Sequence, residues 1–184
     1  MATALITGSS NGIGLELAKI HAAKGDDLVL VARNKQKLDE LKRELEAAHK
    51  VKVYTIGKDL SLPHAAKDVY DETTRQHISI DYLINNAGVA GAEDMVVDMG
   101  VDAWNYTLDA NLVSNFFLMH HVAPLMKAQG SGYILNVSSY FGGEKYLAVA
   151  YPNRADYAVS KAGQRAMVES MARYLGPEVQ FNAI

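Results

Sequence analysis

A glycine-rich turn between a predicted strand and a predicted helix limits the folds open to this chain. Thr3–Thr7 is a short apolar run typical of a parallel strand buried on both faces, and a helical pattern follows over residues 15–24. Glycines between them let the backbone turn tightly and approach a pyrophosphate, whose oxygens then face the first amides of the helix. An ordinary loop is the alternative. The candidate contacts are Gly8, Ser10, Asn11, Gly12, Ile13 and Gly14.

Apolar runs and helical patterns alternate along the rest of the chain. The alternation predicts an α/β, Rossmann-like, doubly wound parallel sheet, with residues 1–184 as a single nucleotide-binding domain. Asn34 is expected to cap one of the helices, whose apolar stripe is Leu38, Leu41 and Leu45. Further strands are predicted at residues 28–32, 51–56, 80–84, 133–137 and 179–184, and helices at 34–49, from Ser61 and Pro63 onward, at 105–127 and at 153–174.

Composition excludes several classes of protein. The 184 residues are 49% hydrophobic and carry a formal charge of -3, which supports one core and provides no basic footprint for nucleic acid. Membrane-spanning apolar runs and a signal peptide are missing, so no membrane partner and a cytoplasmic location are expected. With no cysteine, disulfides, thiolate metal sites and a cysteine nucleophile are excluded. The six histidines lack metal-like spacing, and no metal is assigned.

Residues at the predicted strand ends suggest which nucleotide is bound. Arg33 stands where an NAD-binding unit tends to carry an acidic residue, and a guanidinium suits a 2′-phosphate, so NADP(H) is favoured and NAD(H) remains possible. Arg33 is alternatively a solvated strand-end residue. Asp59, followed by Leu60, either accepts from the adenine amino group or organises the turn. At the next strand end, small and amide-bearing residues are further candidates for cofactor contacts: Asn86, Ala87 and Gly88.

Tyr157 and Lys161 are four residues apart in a predicted helix, so both side chains lie on one face. A cation beside a phenol favours the phenolate and lets the tyrosine exchange a proton near neutral pH. Taken alone, this pair more often represents two exposed helix residues. Ser139, at the end of a predicted strand, is expected to open on the same cleft. Asn111, inside an apolar helical pattern, is expected to be buried with its hydrogen bonds satisfied.

Together these residues resemble the short-chain dehydrogenases/reductases across essentially the whole chain. The order is the glycine turn, Asp59, Asn85-Asn86-Ala87-Gly88, Asn111, Ser139 and Tyr157-x3-Lys161. The resemblance implies that Tyr157 is the general acid/base, that Lys161 lowers its pKa and holds the nicotinamide ribose, and that Ser139 rather than Ser138 polarises the substrate carbonyl. It also implies that Asn111 supports a water-linked proton relay through Lys161.

From Asp81 onward the sequence is similar to the C-terminal reductase part of bifunctional malonyl-CoA reductases. The stretches are Asp81-Tyr82-Leu83-Ile84, Gly130-Ser131-Gly132-Tyr133, Phe141-Gly142-Gly143-Glu144-Lys145 and Tyr151-Pro152-Asn153-Arg154-Ala155-Asp156. This resemblance implies a carbonyl or acyl-CoA substrate, either a thioester or a semialdehyde. Residues 1–80 resemble a generic short-chain reductase instead, so a recombined chain is a hypothesis that sequencing the source gene would test. An ordinary alcohol or ketone dehydrogenase is the alternative activity.

Two departures from the family pattern bear on activity. The interval from Ser139 to Tyr157 is longer than usual, and the insert at residues 144–154 includes Tyr146 and Arg154. Arg154 either binds a substrate carboxylate or is a surface residue. Family members continue beyond Ile184, so the domain is expected to be C-terminally truncated, with weak cofactor binding and slow turnover, or to be a silent nucleotide-binding or assembly module. Helices at 105–127 and 153–174 resemble those of the family's dimer interface, which implies a homodimer or homotetramer.

Overall fold

Six parallel strands form one sheet in the computed structural model, which describes residues 1–142 and 150–184. The strand order is β3-β2-β1-β4-β5-β6, so the chain moves outward in one direction from β1 and then returns to fill the other side. The strands are β1 (Thr3–Thr7), β2 (Asp27–Ala32), β3 (Val53–Gly57), β4 (Tyr82–Asn85), β5 (Gly132–Asn136) and β6 (Val179–Ala183). This is the doubly wound order that the sequence pattern predicts.

Helices cover both faces of the sheet, and each face has its own apolar core. On one face α1 and α2 pack through Ala18, Leu38, Leu41 and Leu45. On the other, α3, α5 and α6 contribute residues such as Val69, Leu118, Met126 and Val168. The helices are α1 (Gly12–Ala23), α2 (Lys35–His49), α3 (Ala65–Arg75), α4 (Val101–Leu108), α5 (Ser114–Gln129) and α6 (Ala155–Leu175), with a π-helical turn at Asp109–Val113 and 3₁₀ turns at Tyr140–Gly142 and Pro152–Arg154.

Local sequence accounts for several of these boundaries. Asn34 caps α2 as expected, because its Oδ1 accepts a hydrogen bond from the Lys37 amide at 3.0 Å. The prediction that α3 begins around Ser61 and Pro63 was wrong. The Asp59 carboxylate accepts from Ser61 and forms a turn there, so the helix starts only at Ala65.

A π-helical turn interrupts the long helical stretch between β4 and β5. Here the backbone holds one extra residue per turn, and Asn111 lies inside it, fully buried. The sequence pattern predicts a plain helix over residues 105–127, whereas the structure has three segments from Val101 to Gln129. The extra residue rotates the preceding segment relative to the following one, and such turns are frequent at functional sites.

The point where strand order reverses lies between β1 and β4, which pair directly. In open α/β sheets, ligands bind outside the carboxyl ends of the strands at this crevice. The glycine turn follows β1 and the segment from Asn86 follows β4, so both reach the same edge. None of the described helices combines the length and apolar character needed to cross a membrane. Within the described residues no group of three or more potential ligands could hold a metal ion.

Candidate active site at the carboxyl edge of the sheet

The glycine turn is shaped both by backbone conformation and by close packing. Gly8 and Gly12 have φ values of +66° and +56°, in the left-handed region that favours glycine. A methyl group on Gly14 would lie 2.5 Å from the Gly8 carbonyl oxygen and 2.5 Å from Asn86 Nδ2. Position 14 therefore requires glycine because the backbone and Asn86 leave no room for a side chain. Position 12 requires glycine only because its φ is positive.

Thr7, at the end of β1, ties the glycine turn to the segment after β4. Its Oγ1 accepts from the amides of Asn86 and Ala87 at 3.0 and 2.9 Å, and Asn86 Nδ2 donates to the Thr7 carbonyl at 2.9 Å. The Asn86 amide is therefore occupied by the protein itself and holds the turn in shape. Sequence reasoning missed Thr7, although a buried threonine at a strand end beside glycine was the available signal.

A cleft on this edge runs from the glycine turn to the end of β2. Its lining includes Gly8, Ser10 and Asn11 from the turn, and Ala87 and Gly88 from the segment after β4. Gly12 and Ile13 do not line this cleft, and the Ile13 side chain is 59% exposed. Asn11 makes no side-chain hydrogen bond that caps α1, so the first backbone amides of this helix are available to an anion.

Two cationic side chains, Arg33 and Lys58, also line this cleft. Arg33 is exposed and its Nη1 lies 3.5 Å from the Tyr106 hydroxyl, while Lys58 follows β3 and pairs with Asp68 at 2.7 Å. The sequence analysis named Arg33 and missed Lys58. The signal for Lys58 was its position at the end of β3, next to Arg33 at the end of the adjacent strand.

Asp59 and Leu60 also line the cleft, but the carboxylate is already engaged. Asp59 Oδ1 accepts from the amide and the hydroxyl of Ser61 at 3.0 and 2.8 Å. Of the two roles considered for Asp59, organising the turn is the one that these contacts describe. Leu60 is buried, with 8% of its surface exposed, and forms an apolar wall.

Lys161 is buried beneath the cleft, with 4% of its surface exposed. Its Nζ donates to the Val137 carbonyl at 2.8 Å and lies 5.7 Å from the centre of the Tyr157 ring. Burial penalises the charged ammonium and lowers the pKa of Lys161 to about 8. Tyrosine and lysine therefore lie on one face of α6, as the spacing predicts, and the lysine titrates near neutral pH.

A second pocket of about 540 Å³ adjoins this pair. Ser139 and Tyr157 both line it. Ser138, the neighbouring candidate, instead donates its hydroxyl to the Lys161 carbonyl at 3.0 Å. Of the two serines, Ser139 is therefore the one that lines the pocket with Tyr157, and its Oγ accepts from the Phe141 amide at 3.3 Å. The remaining walls are Ala90, Tyr140, Phe141, Tyr151 and Arg154.

Asn111 is fully buried and bonded on every side, as expected. Its side chain accepts from the Val89 amide at 2.7 Å and donates to the Val89 carbonyl at 3.0 Å and to Ser160 Oγ at 3.1 Å. Its own carbonyl accepts from Gln164. A methyl group on Gly88 would lie 3.0 Å from Asn111 Oδ1 and 3.7 Å from Lys161 Nζ, so these residues are close together. The proton relay through Asn111 stays a prediction. The contacts of its side chain show that Asn111 holds the segment after β4 in place.

Arg154 lies at the pocket wall with 25% of its side chain exposed. It donates to the Ala90 carbonyl at 2.9 Å and forms an ion pair with Glu93. It is thus more constrained than a free surface arginine. Residues 143–149 are not among the described residues. They include the first part of the insert, with Glu144, Lys145 and Tyr146.

Comparison with known proteins agrees with this geometry. One similar structure is the crystal structure of a bacterial malonyl-CoA reductase C-domain with NADP, which is 66% identical to this chain and has a TM-score of 0.91. The match covers 100% of this chain and 29% of that one. This chain is 34% identical over 149 residues to an NADP-dependent 3-hydroxy acid dehydrogenase of Schizosaccharomyces pombe, covering 79% of this chain and 56% of that protein.

A ketone-specific alcohol dehydrogenase from Comamonas testosteroni is also similar. It shares 30% identity and a TM-score of 0.89, over 100% of this chain and 71% of that one. The chain thus spans between 29% and 71% of the length of these relatives. The sequence profile of the family described as short chain dehydrogenase matches residues 2–184. Because this match extends over nearly the whole chain, the chain belongs to the short-chain dehydrogenase family.

Proposed function

We propose that the chain forms the nucleotide-binding and proton-donating part of an NADP(H)-dependent carbonyl reductase. The observation that carries the proposal is that Ser139 and Tyr157 share one pocket while Lys161 lies desolvated beside the phenol. Such a group of side chains suits transfer of a proton to a carbonyl oxygen as negative charge develops there.

The first cleft supplies groups that suit the phosphates of NADP(H). Backbone amides at the start of α1 follow the glycine turn and suit the diphosphate, and Arg33 and Lys58, which line the same cleft, suit a 2′-phosphate. When bound, NADPH supplies the hydride. The relatives solved or named with NADP support this preference over NAD.

Each catalytic side chain then has a distinct task. Ser139 donates a hydrogen bond to the carbonyl oxygen and holds it toward Tyr157. Tyr157 gives its proton to the developing alkoxide, so that hydride and proton together convert the carbonyl to an alcohol. Lys161, as an ammonium, favours the phenolate left behind and donates to the ribose. With a thioester, hydride addition is followed by cleavage of the carbon–sulfur bond, which releases the thiolate and leaves an aldehyde.

An acyl-CoA thioester or a semialdehyde is the substrate class we favour. The support is the 66% identity to the malonyl-CoA reductase C-domain over all of this chain. The chain has no cysteine, so reduction of a thioester would proceed by direct hydride delivery without a covalent enzyme intermediate. Ketone reduction is the second candidate, supported by the Comamonas testosteroni enzyme.

We also propose that the chain self-associates, as a homodimer or homotetramer. Apolar side chains of α5 and its preceding turn are exposed to solvent, among them Val113, Phe116 and Phe117 at 37%, 45% and 45%. Burial of such a patch against a second copy would remove it from water. Sedimentation velocity at several concentrations would test this, and a monomer at every concentration would contradict it.

A fluorescence titration tests the cofactor assignment. NADPH and NADH are titrated into the wild type and into Arg33→Ala and Lys58→Ala. Loss of either cation should weaken NADPH binding by about tenfold and leave NADH nearly unchanged, because only NADPH carries the 2′-phosphate. Arg173→Ala, at an exposed arginine in the last turn of α6, is the matched control. An unchanged preference for NADPH in both cleft variants would remove the basis of the assignment.

Reduction is tested by NADPH oxidation with malonyl-CoA, malonate semialdehyde and cyclohexanone as substrates. Tyr157→Phe should bind NADPH within about twofold of the wild type and lose at least about 100-fold in rate, because only the proton donor is removed. Wild-type turnover of cyclohexanone alone would favour the ketone candidate. NADPH binding with no turnover of any substrate would favour a silent nucleotide-binding module.

A further inference from the structure

A carboxylate with no exposed surface lies beside the proposed proton donor. Asp156 is 0% exposed and stands in the first turn of α6, directly before Tyr157. Its Oδ2 accepts from the Ala92 amide at 3.0 Å and from Thr107 Oγ1 at 2.7 Å, and its Oδ1 accepts from the Tyr157 amide at 2.7 Å. Burial of a carboxylate is costly unless such bonds replace water, so the position is built to hold this group.

These bonds join segments that are far apart in the chain. Ala92 belongs to the loop after β4 and Thr107 to α4, and their separations from Asp156 are 64 and 49 residues. The loop packs directly on the carboxylate, because a methyl group on Gly91, whose φ is +83°, would lie 2.7 Å from Asp156 Oδ2. The carboxylate is therefore the point at which the loop, α4 and α6 meet.

The same loop forms a wall of the substrate pocket. Ala90 lines it together with Tyr157, and the Ala90 carbonyl also accepts from Arg154 at 2.9 Å. Asn111 holds the preceding residue, Val89, through both of its backbone groups. The loop is thus fixed from the β4 side by Asn111 and from the α6 side by residues that flank the tyrosine.

We propose that Asp156 is a positioning residue that sets the phenol of Tyr157 relative to the pocket wall formed by the loop after β4. The inference rests on the proposed function, in which Tyr157 donates the proton. Displacement of a proton donor by about 1 Å costs up to about 100-fold in rate, so a residue that never touches substrate controls turnover in this way. The dinucleotide cleft shares Val89 with this loop, but Asp156, Thr107 and Ala92 do not line it.

Kinetics provide the first test. Asp156→Asn and Thr107→Val each remove part of the network, and kcat should fall by about tenfold while the Kd for NADPH changes by less than about twofold. Thr107→Ser keeps the hydroxyl, so its kcat should equal that of the wild type, unlike the kcat of Thr107→Val. Asp102→Asn, at an exposed acid in the first turn of α4, is the matched control. Parallel loss of kcat and NADPH affinity, or no recovery in Thr107→Ser, would show a general structural role and overturn the proposal.

A spectroscopic test does not require turnover. The chain is labelled with ¹³C-tyrosine, and the ring signal of Tyr157 is assigned by its loss in Tyr157→Phe. In Asp156→Asn and in Thr107→Val, the Tyr157 signal should shift while the signals of Tyr54 and Tyr70, remote from the pocket, stay in place. An unshifted Tyr157 signal in both variants refutes positioning by Asp156. A wild-type rate in Tyr157→Phe refutes the proposed function instead, so the two failures are distinguishable.

Discussion

Replacement of Lys161 by methionine tests the desolvation on which its low pKa depends. The side chain is 4% exposed, and its pKa falls from 10.5 to about 8 because burial penalises the ammonium. At pH 7 the amine is charged both in the folded and in the unfolded chain, so the folded state bears the full penalty of about 3 kcal/mol. Methionine has a similar length and no charge, and Lys161→Met removes this penalty.

The pH dependence separates this effect from other consequences of the substitution. The folded pKa lies below the unfolded value, so between pH 8 and 10.5 the unfolded chain binds more protons and wild-type stability rises with pH. At pH 10 the penalty is less than about 1 kcal/mol. The Val137 carbonyl, which loses its donor, contributes a cost that does not change with pH. The advantage of the variant over the wild type should therefore shrink by about 2 kcal/mol from pH 7 to pH 10.

Urea denaturation followed by circular dichroism gives the free energy of unfolding of both proteins at each pH. Lys24→Met, at an exposed lysine after α1, is the matched control and should show no such change between the two pH values. If the difference between wild type and Lys161→Met stays constant within about 0.5 kcal/mol, Lys161 is not desolvated in the folded state, and the reasoning fails.

Three further outcomes are expected. Gly14→Ala should lower the free energy of unfolding by about 2 kcal/mol, measured by urea denaturation, because its methyl group would lie 2.5 Å from the Gly8 carbonyl oxygen. Asn111→Leu should lower it by about 3 kcal/mol in the same assay, since both backbone groups of Val89 lose their partners. The kcat/KM for reduction should fall above about pH 8 in a pH–rate profile, because neutral Lys161 leaves the tyrosine a weaker acid.

Each of these outcomes has a result that contradicts it. Gly12→Ala has a strained φ but no atom within 4 Å of the added methyl group, so it should cost only about 1 kcal/mol. A loss in Gly14→Ala no larger than this would exclude close packing as the cause. Wild-type stability in Asn111→Leu would mean that Val89 finds other partners. A pH–rate profile that stays flat to pH 10 would separate catalysis from the charge of Lys161.

The local pattern of apolar and polar residues was enough to predict the α/β architecture. Apolar runs of five or six residues between helical periods predict strands buried on both faces, and chains with this alternation form parallel sheets with helices on each side. The glycine turn and the four-residue interval between Tyr157 and Lys161 are also properties of neighbouring residues, so their conformation and common face follow from the chain itself. The boundaries shifted where side chains altered the turns, as Asp59 does before α3.

The sequence pattern was therefore sufficient to predict the order of strands and helices along the chain and the residues presented at one edge of the sheet. The folded structure was needed to place Lys58 beside Arg33, to show that Ser139 lines the pocket with Tyr157 while Ser138 bonds to the Lys161 carbonyl, and to show that Asp156 is buried among three donors. These facts depend on contacts between residues far apart in the chain. The pKa of Lys161 depends in the same way on the loss of water around its ammonium, which no interval in the sequence encodes.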